Sequence, residues 1–116
     1  MAKSFRELLV WQKAIELTTQ IYKLTQRFPR EETYGLSSQL RRAGVSVASN
    51  IAEGNGRRSR AEYRNFPGIA RGSALEIQTQ LVIATNLGFG DPLEITKAEQ
   101  LAEETSKMIW AISNKL

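Results

Sequence analysis

Val10-Trp-Gln-Lys-Ala14-Ile-Glu-Leu17-Thr-Thr-Gln-Ile21-Tyr-Lys-Leu24-Thr-Gln-Arg-Phe28 decides the fold. Its apolar residues Val10, Ala14, Leu17, Ile21, Leu24 and Phe28 advance by four, three, four, three and four. That is the a/d seam of a helix packed lengthwise against other helices. Leu8, Trp11, Ile15 and Tyr22 widen the seam into a second apolar stripe, and a helix with two such stripes touches two neighbours. Ser4 and Glu7 have the spacing of a capping box at its start. Pro29 ends it after Phe28. A helix of about 24 residues and about 36 Å is therefore expected.

The rest of the chain repeats this design. Arg30 to Leu36 is a connector broken by Gly35. A second helix starts at Ser37 or Ser38 and carries Leu40, Ala43 or Gly44, Val47 and Ile51, and Gly54 with Asn55-Gly56 stops it. Its small residues Ala43, Gly44, Ser46, Ala48, Ser49 and Ala52 admit a close neighbour. A third helix opens with the capping box Ser59-Arg-Ala-Glu62 and runs along Phe66, Ala70, Ser73, Ile77, Leu81, Ala84 and Gly88, with Leu75, Val82 and Phe89 as a second stripe. Pro67-Gly68 lies inside it. An interior proline removes a hydrogen bond and clashes with the preceding turn, so a kink or a break is expected at 63–67. Gly90-Asp91-Pro92 is a turn, and a fourth helix begins at Thr96, paired with Glu99, on a seam of Ala98, Leu101 or Ala102, Thr105, Met108 or Ile109, Ile112 and Leu116. Four helices with short connectors make an all-α, antiparallel up-down-up-down four-helix bundle, a single domain over residues 1–116.

Composition narrows the chemistry. The 116 residues include no Cys and no His, which excludes disulfides, thiolate metal sites, a Cys nucleophile and any Ser-His-Asp arrangement. Glu16 with Glu53, or Glu103 with Glu104, lacks the Glu-x-x-His partners of a di-iron bundle. No metal, cofactor or catalytic residue is expected, and the protein is read as a non-enzyme. Ser46, Ser49, Asn50 and Glu53 form a polar stripe without a base, suited to interhelical hydrogen bonds. No run of about 18 apolar residues is present to span a membrane. The charged N-terminal stretch lacks the form of a secretion signal, so a cytoplasmic location is expected.

The net charge of +4 is unevenly distributed. Residues 1–26 carry +2, residues 27–71 carry +5 from nine Arg and four Glu, and residues 72–116 carry −3. Arg57, Arg58 and Arg60 converge with the start of the third helix on one end of the bundle, an arrangement suited to phosphate. Arg64, and then Arg41 and Arg42, extend the field, and positions 57, 60, 64 and 71 fall roughly on one helical side. The same arginines also suit a solvated turn paired with Glu53 and Glu62. Tyr63 and Phe66, set among them, fit the core better than base stacking. Neither the Walker spacing nor the dinucleotide fingerprint is present.

These residues resemble a bacterial family of four-helix bundle proteins, the 23S ribosomal RNA intervening-sequence proteins. The likeness rests on Trp11-Gln-Lys-Ala14, Phe28-Pro29, Tyr34-Gly35-Leu36, Arg41-Arg42-Ala43, Gly72-Ser73, Thr79-Gln80-Leu81 and Leu87-Gly88. Its most specific part is Ser49-Asn-Ile-Ala-Glu-Gly54 followed by Gly56-Arg57-Arg58-Ser59. The resemblance implies a ring-shaped homopentamer, similar in fold to accessory variability proteins of diversity-generating retroelements, which bind nucleic acid and reverse transcriptase. It implies no catalytic residues. Asn65-Phe-Pro-Gly-Ile69 departs from the family's unbroken apolar run. The combined expectation is a basic homo-oligomeric scaffold that binds RNA or DNA backbone, or else an adaptor for a protein such as a reverse transcriptase.

Overall fold

A computed structural model describes residues 4–55 and 60–114 of the chain, with side chains for 4–55 and 66–113. It contains four long helices: α1 (Leu9–Thr25), α2 (Leu36–Asn55), α3 (Arg60–Leu87) and α4 (Pro92–Asn114). The described residues include no strand. Each helix packs on its neighbours in sequence, and α4 closes the square against α1. Cross-helix pairs fix the directions. Arg41 meets Thr25 and Gly44 meets Thr18, Gln39 meets Gln80 and Ser46 meets Ser73, and Lys13 meets Glu104 while Gln20 meets Glu94. Every adjacent pair among these runs antiparallel, giving the up-down-up-down bundle.

The α1 seam is the core. Val10, Ala14, Leu17, Ile21, Leu24 and Phe28 are all buried, facing Leu40, Val47, Ile77, Leu81, Ala98, Ala102 and Ile109. Thr105 sits fully buried among them because its hydroxyl donates to the Leu101 carbonyl at 2.6 Å, which satisfies it inside its own helix. Gly44 lets α1 and α2 approach closely. A Cβ there would lie 3.0 Å from Thr18 Oγ1 and 3.4 Å from Ile21 Cδ1.

The helix starts depart from expectation at three places. Ser4 does cap, accepting from the Arg6 N–H at 3.2 Å, but it closes only a single 3-10 turn, Phe5–Glu7. Leu8 is then extended and α1 begins at Leu9. The reason is tertiary: the Phe5 ring turns back onto Trp11 at 5.1 Å, and Gln12 Nε2 donates to the Arg6 carbonyl at 2.8 Å. A straight helix would carry Phe5 away from both. At its other end α1 stops at Thr25, and Phe28 reaches the core from the turn beyond.

The second departure is at α2, which begins at Leu36, ahead of both serines, because Glu32 Oε1 accepts from the Leu36 N–H at 3.0 Å. The third is at α4, which begins at Pro92, four residues ahead of Thr96. Proline's fixed φ suits the first helical position, where its missing N–H costs nothing. Asp91 Oδ2 accepts from the Glu94 N–H at 3.2 Å, so Asp91 is the cap.

The α3 helix is continuous from Arg60 to Leu87 with Pro67 inside it. The break that Pro67 permits is not taken. Its other end is a Schellman motif: the Phe89 N–H reaches the Ala84 carbonyl at 2.9 Å and the Gly88 N–H reaches Thr85 at 3.1 Å. Gly88 holds φ of +73°, a left-handed conformation that favours glycine at that position. Gly88 thus ends the helix rather than continuing its seam. Phe89 leaves the second stripe and packs on Phe28, with centroids 5.7 Å apart. Leu75 and Val82, the rest of that stripe, face outward.

Candidate nucleic-acid interface

The interhelical pairs set the level of each expected arginine. Gln39 lies opposite Gln80 and Ser46 opposite Ser73, so Arg42 is level with Ile77 and position 64 with Asn55. At 1.5 Å per residue, Arg42 and Arg64 lie about 20 Å apart along the bundle. Among the described positions, 41 and 42 are therefore well separated from 60 and 64. Arg57 and Arg58 lie outside the described residues, as do Gly56 and Ser59 and thus the start of the capping box. Arg60 and Arg64 occupy the first turns of α3; their side chains, with those of Glu62 and Tyr63, are outside the described set. Phe66 is half-buried.

Arg41 and Arg42 sit in the other half of the bundle and differ from each other. Arg41 ties α2 to α1. Its Nε donates to Thr25 Oγ1 at 2.9 Å, and its guanidinium lies 4.8 Å from the Tyr22 ring centroid. Thr25 in turn donates to the Ile21 carbonyl at 2.7 Å. This stack holds one arginine stiffly at the surface. Arg42 is exposed and lines a polar notch of about 290 Å³ with Gln39, Ser46, Ser73 and Glu76.

The floor of that notch is a hydrogen-bonded ladder. Ser46 and Ser73 hydroxyls are 2.9 Å apart, and Asn50 Nδ2 donates to the Ser46 carbonyl at 2.8 Å. Gln80 Nε2 donates to Glu76 Oε1 at 3.1 Å and Gln39 Oε1 at 3.3 Å. Two members of the expected polar stripe, Ser46 and Asn50, are thus structural, and Ser46 makes the bond between helices. Ser49 and Glu53 are exposed.

The carboxylates imagined as metal ligands are dispersed. Glu16 and Glu104 share Lys13, at 3.5 and 3.1 Å, and Glu103 holds Lys107 at 3.1 Å. The hydrogen bond and charge of Glu104, with Glu16 behind it, push the Lys13 ammonium pKa above its ordinary value. Among the described residues no three carboxylates gather into a metal-binding set.

One feature escapes heptad reading altogether. The Arg71 guanidinium lies 4.7 Å from the Trp110 ring centroid, across the α3/α4 groove. Trp110 falls off the α4 seam, next to buried Ile109. A tryptophan displaced from a seam is the signal that points to it.

Fold and comparison agree. A crystal structure of a protein of unknown function from the S23 ribosomal protein family of Bacteroides thetaiotaomicron VPI-5482 superposes with a TM-score of 0.81. It is 24% identical, over 90% of this chain and 98% of that one. No curated protein matches. The model of the 23S rRNA-intervening sequence protein family matches residues 6–111, from the turn before α1 nearly to the end of α4. With its described core intact across that span, the chain belongs to the 23S rRNA-intervening sequence protein family.

Proposed function

We propose that this protein is a non-enzymatic, homo-oligomeric scaffold of the cytoplasm that binds the phosphate backbone of RNA or DNA with little sequence preference. The observation that carries the reading is the concentration of arginine: nine of them lie within residues 27–71, and Arg57, Arg58, Arg60 and Arg64 cluster where α2 gives way to α3. Arg42 and the surface-held Arg41 form a second contact region, about 20 Å along the bundle.

Self-association is supported by apolar surface that one bundle leaves open. Phe5, Trp11, Ile15 and Val45 line a groove of about 320 Å³ between α1 and α2, together with Ala48, Ser49 and Ala52. Apolar side chains left open side by side in this way suit contact with another copy. The family resemblance implies five copies, which at +4 each carry +20. Each phosphate neutralised contributes about −0.7 to −0.9 to the log-log salt slope. Binding to a mixed-sequence RNA or DNA should therefore be strong in low salt and collapse toward physiological salt. An anisotropy titration compares wild type with the Arg57→Glu, Arg58→Glu, Arg60→Glu triple variant. The reading fails if wild type does not bind in dilute salt, or if the triple variant binds equally well. The alternative is an adaptor for a protein partner such as a reverse transcriptase; the acidic last third, at −3, favours it over a pure polyanion binder.

A further inference from the structure

Between α3 and α4 runs a groove of about 470 Å³ lined by Gly68, Arg71, Gly72, Leu75, Trp110 and Ser113. Its volume falls in the range of small-ligand sites, roughly 300–1,000 Å³. Four observations distinguish it from the other surface depressions. Trp110 is 51% exposed although it is the largest side chain on α4. The Arg71 guanidinium is stacked on it, yet Arg71 Nε is shut off from solvent and has no acceptor. No carboxylate pairs with Arg71 among the described residues. Finally, a Cβ added at Gly68 or Gly72 would meet nothing within 4 Å, so the floor is open beside the indole.

Nε is closed to the groove as it is to water, so a ligand meets Arg71 through the terminal amino groups, and a guanidinium without a counter-ion attracts an anion. An exposed indole attracts a flat ring. A nucleotide supplies both in one unit. A protein side chain supplies only one of them at a time, and Leu75 offers it little apolar depth.

We infer that the Arg71–Trp110 pair is a nucleotide site for single-stranded RNA or DNA, in which a base stacks on the face of Trp110 that Arg71 leaves free and the adjoining phosphate pairs with Arg71. This rests on the nucleic-acid reading above and gives it a second, aromatic element. Positions 60, 64 and 71 share one side of α3, so the strand that meets the arginines at the start of the helix continues along it to Trp110. From position 60 to 71 the path covers about 16 Å. Base stacking on an aromatic side chain is tolerant of sequence, in keeping with weak preference.

The test uses the full chain and oligo(dT) or oligo(U) in low salt. The protein has two tryptophans, Trp11 and Trp110, so their fluorescence can be separated by substitution. The oligonucleotide should quench the Trp11→Phe variant, whose signal is Trp110 alone, and leave Trp110→Phe unquenched. Trp110→Ala should weaken binding about five- to a hundredfold, the range for loss of one stacked base. Arg71→Lys, which keeps charge but loses the flat stack, should weaken it less.

Three results would overturn the proposal. In the first, inorganic polyphosphate quenches Trp110 as fully as the oligonucleotide, leaving a bare anion site. In the second, Trp110→Ala and Arg71→Gln lower the oligomeric mass in light scattering, making the groove a contact between copies. In the third, both of these variants bind like wild type while the Arg57, Arg58, Arg60 triple variant does not. This last result sinks the Trp110 site and leaves the broader reading standing. Failure of wild type to bind sinks both.

Discussion

Two glycines inside helices should respond to alanine with opposite signs. At Gly44 an added Cβ lies 3.0 Å from Thr18 Oγ1, 3.2 Å from Thr18 Cγ2 and 3.4 Å from Ile21 Cδ1. Thr18 cannot easily swing aside, because its hydroxyl is held to the Ala14 carbonyl at 2.8 Å. Overpacking of this kind costs about 1–3 kcal/mol. Replacing glycine within a helix returns about 1 kcal/mol of propensity. The net for Gly44→Ala is a loss of about 0–2 kcal/mol. At Gly72 the Cβ meets nothing, so Gly72→Ala should gain about 0.5–1 kcal/mol. The comparison is made by urea denaturation at one fixed protein concentration, since an oligomer's midpoint moves with concentration. In a Thr18→Ala background the obstruction is gone, and Gly44→Ala should then be stabilising. If Gly44→Ala stabilises the wild type by as much as Gly72→Ala does, α1 and α2 are not in the close contact described.

Asp91→Ala should cost about 0.5–2 kcal/mol by removing the α4 cap, while Thr96→Ala should change stability by less than about 0.5 kcal/mol, because Thr96 is exposed inside the helix; thermal melts of the pair separate them. Lys13 has a raised pKa from Glu104 and Glu16. Its contribution is therefore complete below the unfolded-state value and lost as pH rises through the folded one. Stability measured across the alkaline range should fall more steeply in wild type than in Lys13→Met, and parallel curves would contradict the bridge.

The bundle was legible because burial on a helix is written directly as a 3.5-residue period. Every α1 seam residue from Val10 to Phe28 is buried, and the seams of α2, α3 and α4 follow the same rule through Val47, Ile77 and Ala98. Helix ends were less legible, because more than one stretch obeys the grammar of a cap. Thr96 with Glu99 and Asp91 with Pro92 both fit, and the proline decides between them by fixing its own φ. Phe5 and Gln12 override the Ser4 signal through contacts that no local pattern encodes. Among the arginines, charge is visible in sequence but partners are not. Arg41 reads like Arg42 until Thr25 and Tyr22, from a different helix, come to hold it.

The polar ladder between α2 and α3 has a consequence for how the two helices find their alignment. Its rungs are Gln39 with Gln80 and Ser46 with Ser73, one heptad apart on both strands of the hairpin. Apolar seams repeat every heptad, so alone they would tolerate a slide of one repeat. Such a slide would set Gln39 against Ser73 and Ser46 against Phe66, joining a long amide to a short hydroxyl and a hydroxyl to a ring. Two rungs of unlike length therefore behave as a two-pin key that fits at a single offset. The pairs should accordingly change together over evolutionary time: a lineage that loses Ser46 has reason to lose Ser73 as well, and one that keeps either should keep both.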